Sequence, residues 1–204
     1  NAKSISKILK ILPKTTYLIH ISTDQVYPNG CGPFKESQRA KKGSNVYAKS
    51  KIKAESIVKK HRNHLILRTN FFGKSKLITK KSLSDIIIHN AVNNIKMPLF
   101  NDLFFSPLHV TTLCKLIGNC IKINLKGVYN LGSSNGISKA NFGIKILDIL
   151  NLKKDNFYIT NSDTFNSRIS RPKDLRLDCS LIEKKLIIKL PSIEREITKL
   201  QKYN

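Results

Sequence analysis

Three side chains in the sequence have the chemistry needed to transfer a proton to a carbonyl group. Thr23 ends the apolar run at residues 15–23, and Tyr47 and Lys51 lie one turn apart on a predicted helix at residues 45–61. If the run is a buried strand of a parallel sheet, Thr23 faces the crevice where open α/β sheets bind ligands. A nearby ammonium stabilises a phenolate and lowers the pKa of the phenol. We therefore expect Tyr47 to donate a proton to a carbonyl oxygen that Thr23 holds, while hydride reaches the carbon.

The helical pattern places Lys51 at the edge of an apolar face. At about 100° per residue, that face also carries Val46, Tyr47, Ala54, Ile57 and Val58. The opposite, solvated face carries Lys49, Lys53, Ser56 and Lys60. An inward-pointing lysine is uncommon unless it has a partner or a function. The alternative is that the stem of Lys51 follows the apolar surface and its ammonium reaches solvent.

The pattern of the whole chain predicts an α/β fold. The strand at 15–23, the helix at 45–61 and a second buried strand at 64–72 form a βαβ unit. Further helices are predicted at 83–94, 110–121 and 138–150, the last with Ser138 as its N-cap, and a short strand at 126–134. A helix at 181–186 and a last helix that opens at Pro191 complete the prediction.

Composition argues against several classes of function. The 204 residues carry a net charge of +24, but only seven of the 37 basic residues are Arg, and the lysines are spread along the chain. No specific nucleic-acid partner is therefore expected, and weak binding to polyanions is the alternative. No apolar run reaches the roughly 18 residues of a membrane span and no signal segment is visible, so a cytoplasmic location without membrane contact is expected. The four cysteines lack metal-binding spacing, which predicts free thiols and no metal site.

An ordered set of motifs resembles the extended short-chain dehydrogenase/reductase family, in particular its dTDP-4-dehydrorhamnose reductase branch. The set consists of STD at 22–24, GPFKE at 32–36, NVYAKSK at 45–51 and the glutamate at 55. LILRTNFFG at 65–73, GVYNLGSSNGISKANFGIKIL at 127–147 and RPKDLRLDCS at 171–180 are similar to later segments of that family. A YxxxK motif alone is weak because it arises by chance, whereas the ordered set is specific.

The resemblance implies a role for each matching residue. Thr23, Tyr47 and Lys51 would form the catalytic triad, and Lys51 would also bond the nicotinamide ribose. Cofactor contacts are expected from Ser22, Tyr47, Lys51, Arg68 and Asn70, and substrate contacts from Thr23, Gln25, Phe71 and Arg171. The reductant would be NADPH or NADH, and the substrate a nucleotide-linked 4-keto-6-deoxy sugar. A homodimer remains open.

The resemblance also implies how the chain is divided. Residues 1–74 would form the C-terminal part of a Rossmann-like NAD(P)-binding domain with a partial parallel sheet. Residues 75–204 would form a small mixed α/β substrate lobe that returns one strand and one helix to that domain. The GxxGxxG turn that holds a dinucleotide pyrophosphate is absent from the sequence. The chain is therefore expected to be part of a longer reductase, with a sugar-nucleotide epimerase and a non-catalytic binding subunit as alternatives.

Several polar residues have more than one interpretation. Arg68 is as consistent with a structural ion pair as with a cofactor contact, and Asp24 is expected to cap or brace a loop rather than act as an acid. Glu55, one turn after Lys51, is expected to pair with a neighbouring lysine. His109 is expected to be structural. Arg171 suits the diphosphate of a sugar nucleotide, because Arg binds phosphate in a bidentate manner.

Overall fold

The computed structural model describes residues 2–40, 42–75, 77, 79, 81–164 and 172–203. These residues form seven α-helices: α1 (Ala2–Ile11), α2 (Val46–Val58), α3 (Leu83–Val92), α4 (Val110–Lys122), α5 (Lys139–Ile149), α6 (Ser180–Leu186) and α7 (Ile193–Ile197). They also form ten short strands: β1 (Leu18–Ile21), β2 (His64–Thr69), β3 (Phe71–Phe72), β4 (Met97–Phe100), β5 (Phe104–Phe105), β6 (Leu108–His109), β7 (Gly127–Leu131), β8 (Ile137–Ser138), β9 (Phe157–Thr160) and β10 (Asp174–Leu175). The α/β class predicted from the sequence is confirmed.

The main sheet has the order β1-β2-β7, and both pairs of neighbours are parallel. Because α2 connects β1 to β2, the predicted βαβ unit is confirmed. Ile21 pairs with Leu67, and Leu67 pairs in turn with Tyr129, so the carboxyl ends of the three strands lie at one edge of the sheet. Within the described part of the chain, β1 pairs only with β2 and is an outer strand of the sheet.

Two strands are shorter than their apolar runs predict. β1 ends at Ile21 because the chain enters a 3₁₀ turn at Asp24–Val26. The run at 64–72 is interrupted at Asn70, whose carbonyl oxygen accepts a hydrogen bond of 2.9 Å from the N–H of Leu108. β2 therefore stays in the main sheet, while β3 leaves it and pairs with β6.

The smaller sheets belong mostly to the second part of the chain. β5 pairs with both β10 and β8, and β4 pairs with β9. The sequence pattern did not predict these strands, because each has only two to four residues and too few alternations to show a period. β7 lies beyond residue 75 and pairs with β2, but the division of the chain at residues 74 and 75 stays a prediction.

Two apolar cores support the sheet and the second lobe. The first surrounds β2 and β7 and includes Leu65, Leu67, Leu116, Leu131 and Ile182. The second surrounds α5, where the ring of Phe142 makes edge-to-face contacts with Phe72 at 5.0 Å and Phe105 at 5.2 Å between centroids. Because Phe72 comes from β3 and Phe105 from β5, this core joins the two parts of the chain at the crevice described below.

The helices agree with the pattern except at the start of the chain. α3, α4 and α5 lie within two residues of their predicted bounds, and Ser138 caps α5 as predicted, because its Oγ accepts the N–H of Asn141 at 3.1 Å. The prediction omitted α1, which packs against α2 without burying any residue. In the described ranges, no helix is long and apolar enough to cross a membrane.

Candidate active site

The carboxyl end of β1 holds Thr23 in an extended conformation above the sheet. The N–H of Ser22 donates to the carbonyl oxygen of Leu67 at 2.7 Å, so the ladder continues one residue beyond β1. Thr23 then caps the 3₁₀ turn, and its Oγ1 accepts the N–H of Gln25 at 3.3 Å. The Thr23 side chain is buried and kept in one orientation by the turn that follows it.

The first turn of α2 brings Tyr47 to the same edge of the sheet. Asn45 is the N-cap of α2, and its Oδ1 accepts the N–H of Ala48 at 2.9 Å. Tyr47 is 44% exposed and Val46 is 83% exposed. The placement of Val46 on the buried face was therefore wrong. The first turn projects beyond the sheet, and Ala48, Ile52, Ala54 and Val58 form the packed apolar surface of the helix instead.

Tyr47 and Thr23 meet at this edge. The Thr23 hydroxyl is close enough to the Tyr47 phenol to influence its pKa. Burial raises the pKa of Tyr47, the Thr23 hydroxyl opposes the rise, and the charge of Asp24 adds to it. The lowering of the Tyr47 pKa by Lys51 stays a prediction, because burial is the largest influence on this pKa and raises it. Tyr47 is consequently a protonated phenol at neutral pH.

Lys51 points inward, but toward the backbone of β1. Its Nζ donates to the carbonyl oxygen of Ile21 at 2.8 Å, directly before Ser22 and Thr23. The side chain is half-buried, and burial lowers the pKa of Lys51 while the charge of Glu55 opposes this shift. The lysine therefore ties α2 to the end of the strand that carries Thr23, instead of extending into solvent.

A buried ion pair lies beneath these groups. The Arg68 guanidinium donates to both carboxylate oxygens of Glu55, at 3.0 Å from Nε and 2.8 Å from Nη2. Arg68 Nη1 also donates to the Tyr27 hydroxyl at 3.0 Å and to the Glu36 carbonyl oxygen at 2.8 Å. Arg68 is 1% exposed and Glu55 is 0% exposed. Burial raises the pKa of Glu55, but hydrogen bonds and charge from Arg68 outweigh it, so the pKa lies below its ordinary value.

This network corrects the expectation for Glu55 and bears on those for Arg68 and Ser22, whose cofactor contacts stay predictions. Glu55 pairs with Arg68 and not with a neighbouring lysine, because it faces the sheet and not the solvent. Arg68 lies inside the fold, which supports its alternative role as a structural ion pair over a cofactor contact. Ser22, also expected at the cofactor, turns its Oγ into the fold and donates to Glu55 at 2.6 Å.

Asp24 and Asn70 form the base of the site. Asn70 Nδ2 donates to Asp24 Oδ2 at 2.7 Å, and Thr23 Oγ1 donates to Asp24 Oδ1 at 3.0 Å. Asp24 is fully buried, and this burial raises the pKa of its carboxyl above the ordinary value despite these hydrogen bonds. The bracing role predicted for Asp24 agrees with these contacts, since it links the end of β1 to the residue that follows β2.

A crevice of about 650 Å³ opens over these residues. Of the sequence-predicted residues, Gln25, Tyr47 and Asn70 line it, whereas Thr23 and Lys51 are not among its lining residues. Phe71 is 50% exposed and is not part of the lining, although it was expected to contact substrate. Arg171 lies outside the described residues, but its neighbour Pro172 lines the crevice.

The rest of the lining comes from residues in or next to β5, β10 and α5, and the sequence did not predict it. Leu103, Phe104, Leu175 and Lys139 contribute to it. These residues are more than 50 positions from Tyr47, and only the packing of β5, β10 and α5 brings them to the crevice. Across the described ranges, no group of three or more His, Cys, Asp or Glu side chains is arranged to hold a metal ion.

Comparison with known proteins places this geometry in context. The dTDP-4-dehydrorhamnose reductase of Sinorhizobium fredii is 24% identical over 194 residues, which cover 90% of this chain and 64% of that protein. The enzyme of the same name from Escherichia coli K12 is 28% identical over 142 residues, which cover 66% of this chain and 46% of that protein. The chain thus spans less than two thirds of the length of these two relatives.

Solved structures of proteins with the same name have a fold similar to that of this chain. The crystal structure of dTDP-4-dehydrorhamnose reductase from Bacillus anthracis in complex with NADP superimposes with a TM-score of 0.81 and 25% identity, over 92% of this chain and 66% of that one. The dTDP-4-dehydrorhamnose reductase from Yersinia enterocolitica gives a TM-score of 0.80 at 22% identity, over 98% of this chain and 69% of that one. The family described as RmlD substrate binding domain matches residues 6–203, nearly the whole chain. The chain belongs to the RmlD substrate-binding domain family.

Proposed function

We propose that the chain carries the catalytic wall of an NAD(P)H-dependent reductase that acts on a nucleotide-linked 4-keto-6-deoxy sugar. The observation that carries this proposal is the position of Tyr47 in a crevice at the carboxyl ends of parallel strands, next to the Thr23 hydroxyl. Membership of the family and relatives named dTDP-4-dehydrorhamnose reductase support the sugar and the reaction. Because the chain spans only part of those relatives, the activity belongs to the proposal.

The proposed proton transfer follows from the protonation state of Tyr47. Its raised pKa keeps the phenol protonated at neutral pH, so it can donate to the ketone oxygen of a substrate. Thr23, next to the same phenol, would hold that oxygen in place. As the carbon–oxygen double bond opens, the oxygen takes the Tyr47 proton and the ketone becomes a secondary alcohol. Lys51 keeps α2 and the end of β1 together through its bond to Ile21.

The residues present fit only one end of a nicotinamide dinucleotide. Such a cofactor, when bound, supplies the hydride for the ketone carbon. Tyr47, Lys51 and Asn70 would hold its nicotinamide end, since Tyr47 and Asn70 face the crevice and the Lys51 ammonium lies at the end of β1. No GxxGxxG turn for the pyrophosphate occurs in the sequence. NADPH and NADH both remain open.

Substrate contacts are proposed for Gln25, which lines the crevice, and for Thr23, whose Oγ1 accepts the N–H of Gln25. Contacts from Phe71 and Arg171 stay predictions, because Phe71 is not in the lining and Arg171 lies outside the described residues. A homodimer and a cytoplasmic location also stay predictions.

The test combines cofactor binding with turnover. NADPH binding is measured by the fluorescence of the nicotinamide, with which no Trp in the chain interferes. Reduction of the dTDP-linked 4-keto-6-deoxy sugar is measured by the loss of NADPH absorbance. Tyr47→Phe should lower turnover by about 100-fold or more and change NADPH affinity much less, because the variant loses the proton donor but keeps the ring and the contacts of Lys51 and Asn70. Tyr158→Phe is the matched control, since Tyr158 is on β9 and is not in the crevice lining.

One result would contradict the proposal, namely a Tyr47→Phe variant that reduces the keto sugar as fast as Tyr158→Phe. Lys51→Ala should weaken NADPH binding as well as turnover, because Lys51 lies at the proposed nicotinamide end.

A further inference from the structure

Lys139 occupies a position in the crevice that no motif predicted. It is the first residue of α5, directly after the N-cap Ser138, and it is half-buried in the crevice wall. Its ammonium is close enough to Asp24 to lower the pKa of that carboxyl, although burial of Asp24 is the larger effect and raises it. Asp24 in turn contacts Thr23 through a hydrogen bond of 3.0 Å. Lys139 therefore lines the same crevice as Tyr47, from a different helix.

The charge balance of the crevice favours an anionic ligand. Among the described lining residues, Lys49 and Lys139 are basic and Asp24 is the single acid. Asp24 is fully buried, with its two oxygens occupied by Thr23 and Asn70. The lining that a ligand meets thus carries positive charge from Lys49 on α2 and from Lys139 on α5.

The position of Lys139 distinguishes it from the many other lysines of the chain. Surface lysines contribute to the net charge of +24, but their interactions with anions are screened by water and salt. A half-buried ammonium in a concave site is screened less, and it meets a ligand at close range. The neighbouring wall of Leu103, Phe104 and Leu175 offers an apolar surface next to this charge. A nucleoside diphosphate combines the two features, an anionic diphosphate and a flat base.

We propose that Lys139 binds the diphosphate of the nucleotide sugar and so sets the distance between the nucleotide and Tyr47. This inference rests on the proposed function, because it assigns a residue to the same substrate. In a sugar nucleotide the diphosphate is attached to C1, across the ring from the keto group at C4. A diphosphate on Lys139 would therefore leave one sugar ring to reach Tyr47 and Thr23.

The test is equilibrium binding of thymidine diphosphate, thymidine and inorganic pyrophosphate by isothermal titration, each at low and moderate salt. Lys139→Gln is compared with Lys145→Gln, which lies on the same helix and pairs with Glu194 on the surface. Both variants lose one positive charge, so a general effect of net charge cancels in the comparison. Thermal unfolding of both variants verifies that each one folds.

The expected result is selective for phosphate. Lys139→Gln should bind thymidine diphosphate at least about tenfold more weakly than the unaltered chain, because one charge-assisted contact is lost. Its affinity for thymidine should not change. Lys145→Gln should bind both within about twofold of the unaltered chain. Equal thymidine diphosphate affinities for the two variants would overturn the role of Lys139 while leaving the reductase proposal standing. If the unaltered chain binds thymidine diphosphate no better than pyrophosphate, the nucleotide-sugar class itself is wrong.

Discussion

The buried pair of Glu55 and Arg68 yields the sharpest test of how the site is supported. Glu55→Gln keeps the shape of the side chain but removes the negative charge. The substitution leaves the Arg68 guanidinium 1% exposed and without a counter-charge at 2.8 Å, and it weakens the hydrogen bond from Ser22. Arg39, at 3.9 Å from Glu55, is too distant and of the wrong sign to compensate.

The expected loss of stability is large because the charge that remains is buried. Breaking one side of a buried ion pair costs about 3–5 kcal/mol, since the partner keeps its desolvation penalty. A typical domain has about 5–15 kcal/mol of stability, so the variant should unfold at a much lower urea concentration. Replacing both partners, as in Glu55→Leu with Arg68→Met, should recover at least about 1 kcal/mol relative to Glu55→Leu alone.

The measurement is urea unfolding followed by far-UV circular dichroism. Glu194→Gln is the matched control, because Glu194 forms a surface ion pair with Lys145 at 3.6 Å. Such a pair contributes less than about 1 kcal/mol to the free energy of unfolding. The folded-state pKa of Glu55 is lowered, so its contribution is complete above the unfolded-state pKa and is lost as pH falls through the folded-state pKa. The difference between the unaltered chain and Glu55→Gln should therefore shrink in acid below about pH 4.3. A Glu55→Gln cost equal to that of Glu194→Gln would refute the buried-pair reasoning.

Two further predictions concern a pair of glycine substitutions and the effect of alkaline pH through Tyr27. Gly118→Ala in α4 should stabilise the chain by about 0.5–1 kcal/mol, because an added Cβ meets nothing within 4 Å and Ala favours a helix. Gly132→Ala should instead lower the free energy of unfolding in urea by about 1–3 kcal/mol, because the added Cβ would lie 2.6 Å from the carbonyl oxygen of Ser106. Equal effects of the two substitutions would contradict the packing described for these two glycines. Burial raises the pKa of Tyr27 to about 12, so stability should fall between the unfolded-state pKa of 10 and pH 12, by about 1.4 kcal/mol per pH unit. Tyr27→Phe should remove this part of the alkaline slope, and an identical slope in both proteins would show that Tyr27 is not the group responsible.

The part of the site that the sequence predicted depends on local periodicity. The apolar run before Thr23 predicted a strand, and the helical spacing placed Tyr47 and Lys51 one turn apart. Both inferences need only the geometry of one element. The same reasoning failed for Glu55, since its partner Arg68 comes from β2 and meets it only after α2 packs on the sheet. It also failed for Val46, because periodicity does not show where a helix projects beyond the sheet.

The sequence by itself determined the α/β class, the βαβ unit and the order of the motifs, because these depend on short-range hydrophobic periods and on residue types at set spacings. Only the tertiary structure decided which charges meet and which surface faces the crevice. Lys51 bonds Ile21 and not Tyr47, and desolvation therefore sets the pKa of Tyr47. Lys139, on a different helix, reaches the crevice although it lies more than 90 residues after Tyr47 in the chain. Contacts of this kind depend on how separate elements pack, and no local pattern records that packing.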